Sequence, residues 1–398
     1  MEVGFSGWSL LEPKERMNMK RYLSIVLTVV CLFGMSLLGC GDNSNSNGNN
    51  NGDTSSDEGL KIVIVSSPSG VDDASFNQDN YNGILAFIEN HPDATVNDVR
   101  ERDSNNAIAA VEAVVADYDV IVTPGFQFAG IYDIAIANPD KYFILIDSFP
   151  TDADMNEMTA DNIYAMQFAE EESGFFAGIT AAMQTESGKV ASVHGIAYPS
   201  NVNYQFGFES GVNYANKHLG TDATVVSLPS YAGTDVTDAN VGGNYIGDFS
   251  DEAMGKVVGE ALLAQGVDII FVAAGASGNG VFTAVKENGN AYVIGCDVDQ
   301  FDEGVNGDSN IVLTSALKVM APNVTLQLEN IANGTFQGGN YTLRADTDST
   351  GYVYASGRHQ LTDETLSALD DAYVMIKNGD IVPASNFNGS TPDDFKGL

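Results

Sequence analysis

Three segments of this chain group residues that can hold a small polar molecule. The first is Gly70-Val71-Asp72-Asp73-Ala74-Ser75-Phe76-Asn77-Gln78, directly after a β-branched run. It puts an acceptor, an aromatic face and amides close together, the set that holds a flat heterocycle by stacking and edge hydrogen bonds. The same residues also fit a plain helix start, with Asp73 or Ser75 as the cap and Phe76 in the core. The second is Gly275-Ala276-Ser277-Gly278-Asn279-Gly280, a glycine-rich loop opening a helix, where backbone amides can approach a ligand closely. Its order is G-x-x-G-x-G, not the G-x-G-x-x-G of dinucleotide folds, and it carries no lysine or arginine to meet a phosphate. The third is Asp297, at the end of the following predicted strand, about where such folds keep the acid that accepts from ribose hydroxyls. A neutral, sugar-bearing ligand is favoured over a nucleotide.

Two further groups belong with these. Tyr204, Phe206 and Phe208 alternate as a strand would place them or cluster at a helix entrance, and one of them could form a second aromatic wall; Phe208 also fits an ordinary core position facing Val212. Lys318 ends the predicted strand that holds Thr314 and Ser315, and a cation at a strand end in so acidic a chain implies either a specific partner or a surface ion pair. Catalytic constellations are absent from the sequence. His91, His194, His218 and His359 have no metal-ligand spacing, and there is neither a G-x-S-x-G elbow nor a P-loop. Neither an enzyme, a metal site nor a cofactor is expected.

These residues must be positioned by alternating strands and helices. Lys61 to Ser66 reads as the first strand, and Tyr81, Ile84, Leu85 and Ile88 then fall at helical spacing. Asp119 to Thr123, Tyr142 to Ile146 and Ile163 to Phe168 continue the pattern. A helix over Glu170 to Met183 restarts it, followed by strands near Val190 to Val193, Thr224 to Leu228, Asp268 to Ala273 and Ala291 to Gly295. This is βαβ grammar, hence parallel sheets, and more of it than one domain usually holds. Two facing lobes would bring their post-strand loops to a shared cleft.

Composition bounds the partners. Of 398 residues, 17 are basic and 54 acidic, a formal net charge of -37, which excludes nucleic acid as a polymer. Lys20 and Arg21 precede an apolar run from Tyr22 to Leu38, the layout of a signal peptide, for which Met17 and Met19 are alternative starts. Leu37-Leu38-Gly39-Cys40 resembles the bacterial lipobox, so residues 1–39 are expected to be removed and Cys40 lipidated. Residues 41–58 are polar or glycine throughout and suit a flexible tether. The expected location is the membrane, lipid-anchored and facing the periplasm or the cell exterior. Cys31 leaves with the signal, so Cys296 has no intramolecular disulfide partner.

Taken together, the motifs resemble the BMP family of basic membrane lipoproteins. The resemblance rests on Gly70-x-x-Asp73-x-Ser75-Phe76-Asn77-Gln78, Gly125-Phe126-Gln127-Phe128, Asn138-Pro139-Asp140-Lys141-Tyr142-Phe143, Glu172-Ser173-Gly174-Phe175-Phe176-Ala177-Gly178, Gly207-Phe208-x-x-Gly211, Gly275-x-x-Gly278-x-Gly280-Val281, Ile294-Gly295-x-Asp297-x-Asp299-Gln300 and Thr314-Ser315-x-x-Lys318. It implies a type I periplasmic-binding-protein fold, two doubly wound parallel-sheet lobes joined by three crossovers. It also implies capture of a purine nucleoside of the inosine, guanosine or adenosine class for an ABC permease and ATPase, the binding protein acting as a monomer. Carried over, Phe76 is one aromatic wall, Asp73 and Asn77 contact base or sugar, Asp297 accepts from the ribose and Lys318 assists, with Phe126 and Gly275 also at the cleft. The second wall is Tyr204, where the family usually has Phe, or Phe206. The lobes are expected at 59–167 with 298–328, and at 168–297 with 329–398. A sugar or autoinducer binder of the same fold, a lipoprotein that activates a membrane kinase, and a nucleoside hydrolase are the competing readings.

Overall fold

The computed structural model describes residues 59–398; the signal-peptide, Cys40 and tether expectations lie outside the described residues. From the start of that range the chain runs β1 (Lys61–Ser66), α1 (Phe76–Asn90), β2 (Thr95–Arg100), α2 (Ala107–Val114), β3 (Val120–Pro124), α3 (Tyr132–Ala137), β4 (Tyr142–Ile146) and β5 (Ile163–Phe168). All neighbours among these strands are parallel. β3 is buried at every position and β1 and β4 at all but the first, as near-continuous apolar runs require when helices cover both faces of a sheet.

After Phe168 the chain passes to a second sheet through α4 (Glu170–Gln184), β6 (Lys189–His194), α5 (Pro199–Tyr214), β7 (Thr224–Val225) and the hairpin β8 (Gly233–Thr234) with β9 (Asn240–Gly242). It continues through α6 (Glu252–Ala264), β10 (Ile269–Ala273), α7 (Ser277–Asn288), β11 (Tyr292–Asp297), the hairpin β12 (Val305–Asn306) with β13 (Ser309–Asn310), and β14 (Val312–Lys318). α8 (Met320–Ala332) and β15 (Gly339–Leu343) return to the first sheet; β16 (Thr350–Tyr352) and α9 (Asp363–Lys377) complete the second lobe. The strand orders are β15-β5-β4-β3-β1-β2 and β16-β14-β11-β10-β6-β7, with only β16 antiparallel in the second sheet.

The crossings between sheets therefore follow Phe168, Lys318 and Leu343. The sequence reading, which put the second crossing near Asp297 and the third after Leu328, is corrected on both counts. Residues 298–318 stay with the second lobe because the apolar run of β14 pairs in parallel with β11, the strand that precedes it in that sheet. Residues 329–343 belong to the first, where the end of α8 joins the core of β1, β3 and β4 and β15 pairs with β5.

Helix approach explains several of the glycines. A Cβ on Gly178 would meet Phe208 O at 2.1 Å, and one on Gly211 would meet Phe175 O at 2.2 Å, so α4 and α5 cross backbone to backbone. Gly280 stands in the same relation to Glu252 O at 1.9 Å, between α7 and α6. The glycines in three of the family-like blocks thus close helix interfaces, and those of α4 and α5 fix where α5 presents Tyr204.

Candidate functional site

The strand ends of the two sheets meet at one cleft with about 550 Å³ of open space, mouth included. Asp73, Phe76, Asn77, Phe126, Tyr204, Gly275, Asp297 and Lys318 all line it. Phe206 does not. On α5 it stands two residues from Tyr204, about 200° around the helix, and packs instead with Val202 and Tyr245 and toward the C-terminal core.

At the loop after β1, Asp73 serves the backbone. Its carboxylate accepts from Ser75 N at 3.0 Å, Asn77 N and Gln78 N at 3.1 Å, and Asn77 Nδ2 at 2.7 Å. These satisfy the otherwise orphaned amides at the start of α1. Burial raises its pKa, and those same bonds oppose the rise. Asn77 spends its second amide hydrogen on Ser67 Oγ at 2.9 Å. The two residues hold the loop that presents Phe76.

The deep end of the cleft is charged. Lys318 Nζ lies 2.7 Å from Asp147 Oδ2, 3.3 Å from Glu170 Oε1 and 3.8 Å from Asp297 Oδ1, every partner at a strand end or helix start. Burial opposes the ammonium charge, but the three carboxylates outweigh it and hold the lysine pKa above its usual range. Burial in turn lifts Glu170 to about 7 against the pull of Lys318, and raises Asp147 likewise. The ammonium also faces the rings of Phe76 at 5.0 Å and Tyr204 at 5.3 Å. With one cation among three acids, the site disfavours an anionic ligand and offers acceptors to hydroxyl donors.

Asp297 takes the Tyr204 hydroxyl on Oδ1 at 3.1 Å and the Ser75 hydroxyl on Oδ2 at 3.0 Å, the latter across the lobes. Asp147 was not singled out from the sequence, yet it mirrors Asp297: each follows or ends a parallel strand, and each has a left-handed backbone, with φ 64° and 68°. Its Oδ1 is buried with no hydrogen-bond partner among the described residues. The acid directly after the β4 run was the available signal. The outer end is aromatic, with Phe126 5.3 Å from Tyr198, and Tyr198 5.9 Å from Phe249. Tyr198 and Phe249 sit in connections without any strand-end pattern to mark them. Of the glycine-rich loop only Gly275 reaches the cleft; it is left-handed at φ 53°. Among the described residues no group of acids, histidines or cysteines is arranged to hold a metal ion.

Two α/β lobes, three crossings and a cleft at the strand ends define a type I periplasmic-binding-protein fold. A structure of an ABC transporter solute-binding protein from Aeropyrum pernix superposes with a TM-score of 0.69 at 21% identity, covering 83% of this chain and 94% of that one. The family model for Bmp, "ABC transporter substrate-binding protein PnrA-like", matches residues 60–228 and 233–379, and the chain belongs to that family of transport proteins. Similar relatives include the "CD4+ T-cell-stimulating antigen" of Listeria innocua, 26% identical over 91% of this chain and 98% of its own length. "Basic membrane protein A" of Borreliella burgdorferi is 28% identical over 79% and 85%. The "ABC transporter nucleoside-binding protein BmpA" of Lactococcus lactis is 26% identical over 79% and 86%.

Proposed function

We propose that this protein captures a purine nucleoside between its lobes and delivers it to an ABC importer from the outer face of a membrane, to which Cys40 anchors it by lipid. The observation that carries the reading is the pairing of two unlike ends in one cleft. An aromatic group of Phe76, Phe126, Tyr198 and Phe249 suits a flat base, and Asp147, Asp297 and Lys318 suit vicinal hydroxyls. The buried, unpartnered Oδ1 of Asp147 is an acceptor that a ribose hydroxyl would satisfy. The nucleoside in the name of the Lactococcus lactis relative supports the same class.

Two roles implied by the family resemblance change in this reading. Tyr204 is 3% exposed and bonded to Asp297, so it orients that carboxylate and leaves stacking to the outer aromatics. Asp73 and Asn77 hold the loop and leave base recognition to others. Calorimetric titration of the full chain with inosine, guanosine and adenosine, beside ribose, hypoxanthine and inosine monophosphate, tests the reading. Nucleosides should bind at least ~100-fold tighter than either fragment, because both ends of the cleft must be filled. Preference for ribose alone would replace the nucleoside with a sugar.

A further inference from the structure

Among the hydrogen bonds that join the lobes, one is made by a residue held by the strands of both Asp297 and Lys318. Gln300 Nε2 donates to Ala74 O at 3.3 Å, across the lobes. At its other end Oε1 accepts from Cys296 N at 2.9 Å, and its own amide donates to Ser315 Oγ at 3.1 Å. Cys296 precedes Asp297 on β11, and Ser315 stands three residues before Lys318 on β14. The side chain is 6% exposed. Its acceptor is equally constrained: Ala74 is left-handed at φ 56°, its amide is taken by Gln78 Oε1 at 2.9 Å, and it lies between Asp73, which caps α1, and Ser75, which bonds Asp297.

We propose that Gln300 is a positioning residue: its carboxamide arm docks the Ala74 turn onto the strand ends of the second lobe and thereby holds Phe76 over the ligand in the closed cleft. This rests on the reading of the cleft as one that closes on a nucleoside. It also fits the glycine at position 295. A Cβ on Gly295 would lie 2.6 Å from Ser315 Oγ and 2.9 Å from Gln300 Oε1, so Gly295 is the space in which the arm lies. The spacing of Gly295, Asp297 and Gln300 is then one device, with room, ligand acceptor and interlobe arm on a single turn.

Three substitutions separate this role from mere packing. Gln300→Met keeps the length and loses both bonds. Gln300→Glu keeps the acceptor for Cys296 N and, when ionised, loses the donor to Ala74 O; when protonated it can donate again. The charged groups around it are Asp297 on β11, with Lys318 of β14 3.8 Å from that carboxylate, Asp73 and Asp79 about the start of α1, and Asp299 and Asp302, both paired with Arg358; acids outnumber cations. Gly295→Ala sets a methyl group against Ser315 Oγ and Gln300 Oε1, displacing the arm while Gln300 itself is unchanged.

In the full chain without ligand, amide hydrogen exchange over residues 70–79 should accelerate in Gln300→Met and Gly295→Ala. In stopped flow, inosine should leave each of them about 10-fold faster than the wild type, the fold-change expected from losing one buried hydrogen bond. Gln300→Glu should match Gln300→Met at pH 8 and approach the wild type at pH 5. Unchanged exchange and dissociation in Gln300→Met would overturn the proposal, as would a Gln300→Glu defect that does not recover in acid. If the wild type binds no nucleoside, the functional reading fails separately, and the ligand-free exchange result still decides the role of Gln300.

Discussion

At the scale of single residues, the cleft depends on one buried cation. Removing Lys318 leaves Asp147 and Glu170 buried without a counter-ion, a change that costs about 3–5 kcal/mol when one partner of a buried pair is lost. Lys318→Met should therefore lower stability by that order in urea denaturation at pH 8, with a smaller loss at pH 5, where the carboxyls can take up protons instead. Asp297→Asn should weaken inosine binding ~100-fold in titration calorimetry while shifting the urea midpoint little, since the amide oxygen still accepts from one of the Tyr204 and Ser75 hydroxyls and the amide NH2 can donate to the other. Asp297 and Lys318 could be read from the sequence because each ends an apolar run, where α/β sheets place ligand contacts. Asp147 occupies the same kind of position and escaped notice among 54 acids. Tyr204 and Phe206 remain alternatives in the sequence because only the phase of α5 around its axis tells which of two aromatics faces the cleft.

At the scale of elements, the α4 and α5 crossing sets the position of Tyr204 and, through it, Asp297. Gly178→Ala introduces an atom 2.1 Å from Phe208 O, and neither backbone can yield without moving its helix. A loss of about 1–3 kcal/mol is expected by overpacking, read as a lower thermal midpoint, together with weaker inosine binding as Tyr204 shifts. The glycines of the Gly275–Gly280 loop suggest ligand approach from sequence; the structure brings only Gly275 to the cleft and uses Gly280 for helix contact. Both uses need a bare Cα, and the pattern alone does not separate them. The lobe boundaries were similarly ambiguous. β14 continues the second sheet after a short hairpin, while β15 rejoins the first as its edge strand, and strand-and-helix grammar carries no mark of which sheet a strand enters.

At the scale of the whole molecule, buried carboxyls give an unusual pH profile. Burial lifts Glu171 to about 8 and Glu209 to about 7, joining Glu170 at about 7. A carboxyl whose folded pKa lies above its unfolded value contributes stability below the unfolded value and loses it as pH rises through the folded one. Stability should thus fall between about pH 5 and pH 8. His194 acts oppositely, since burial lowers it to about 3 and its contribution disappears as pH drops below its ordinary value of 6.5. A urea midpoint highest near pH 5 to 6 is expected, and one rising steadily from pH 5 to pH 9 would contradict the burial of these acids.

In the proposed function, two lobes close an aromatic end and an acidic end around one nucleoside. Titration calorimetry of the full chain with inosine, with ribose and hypoxanthine as the separated halves, tests it most directly. Saturable one-to-one binding of inosine is expected, at least ~100-fold tighter than either half, and abolished together with the Asp147 and Asp297 carboxylates. Inosine binding no tighter than ribose, or unchanged by Asp297→Ala, would contradict it.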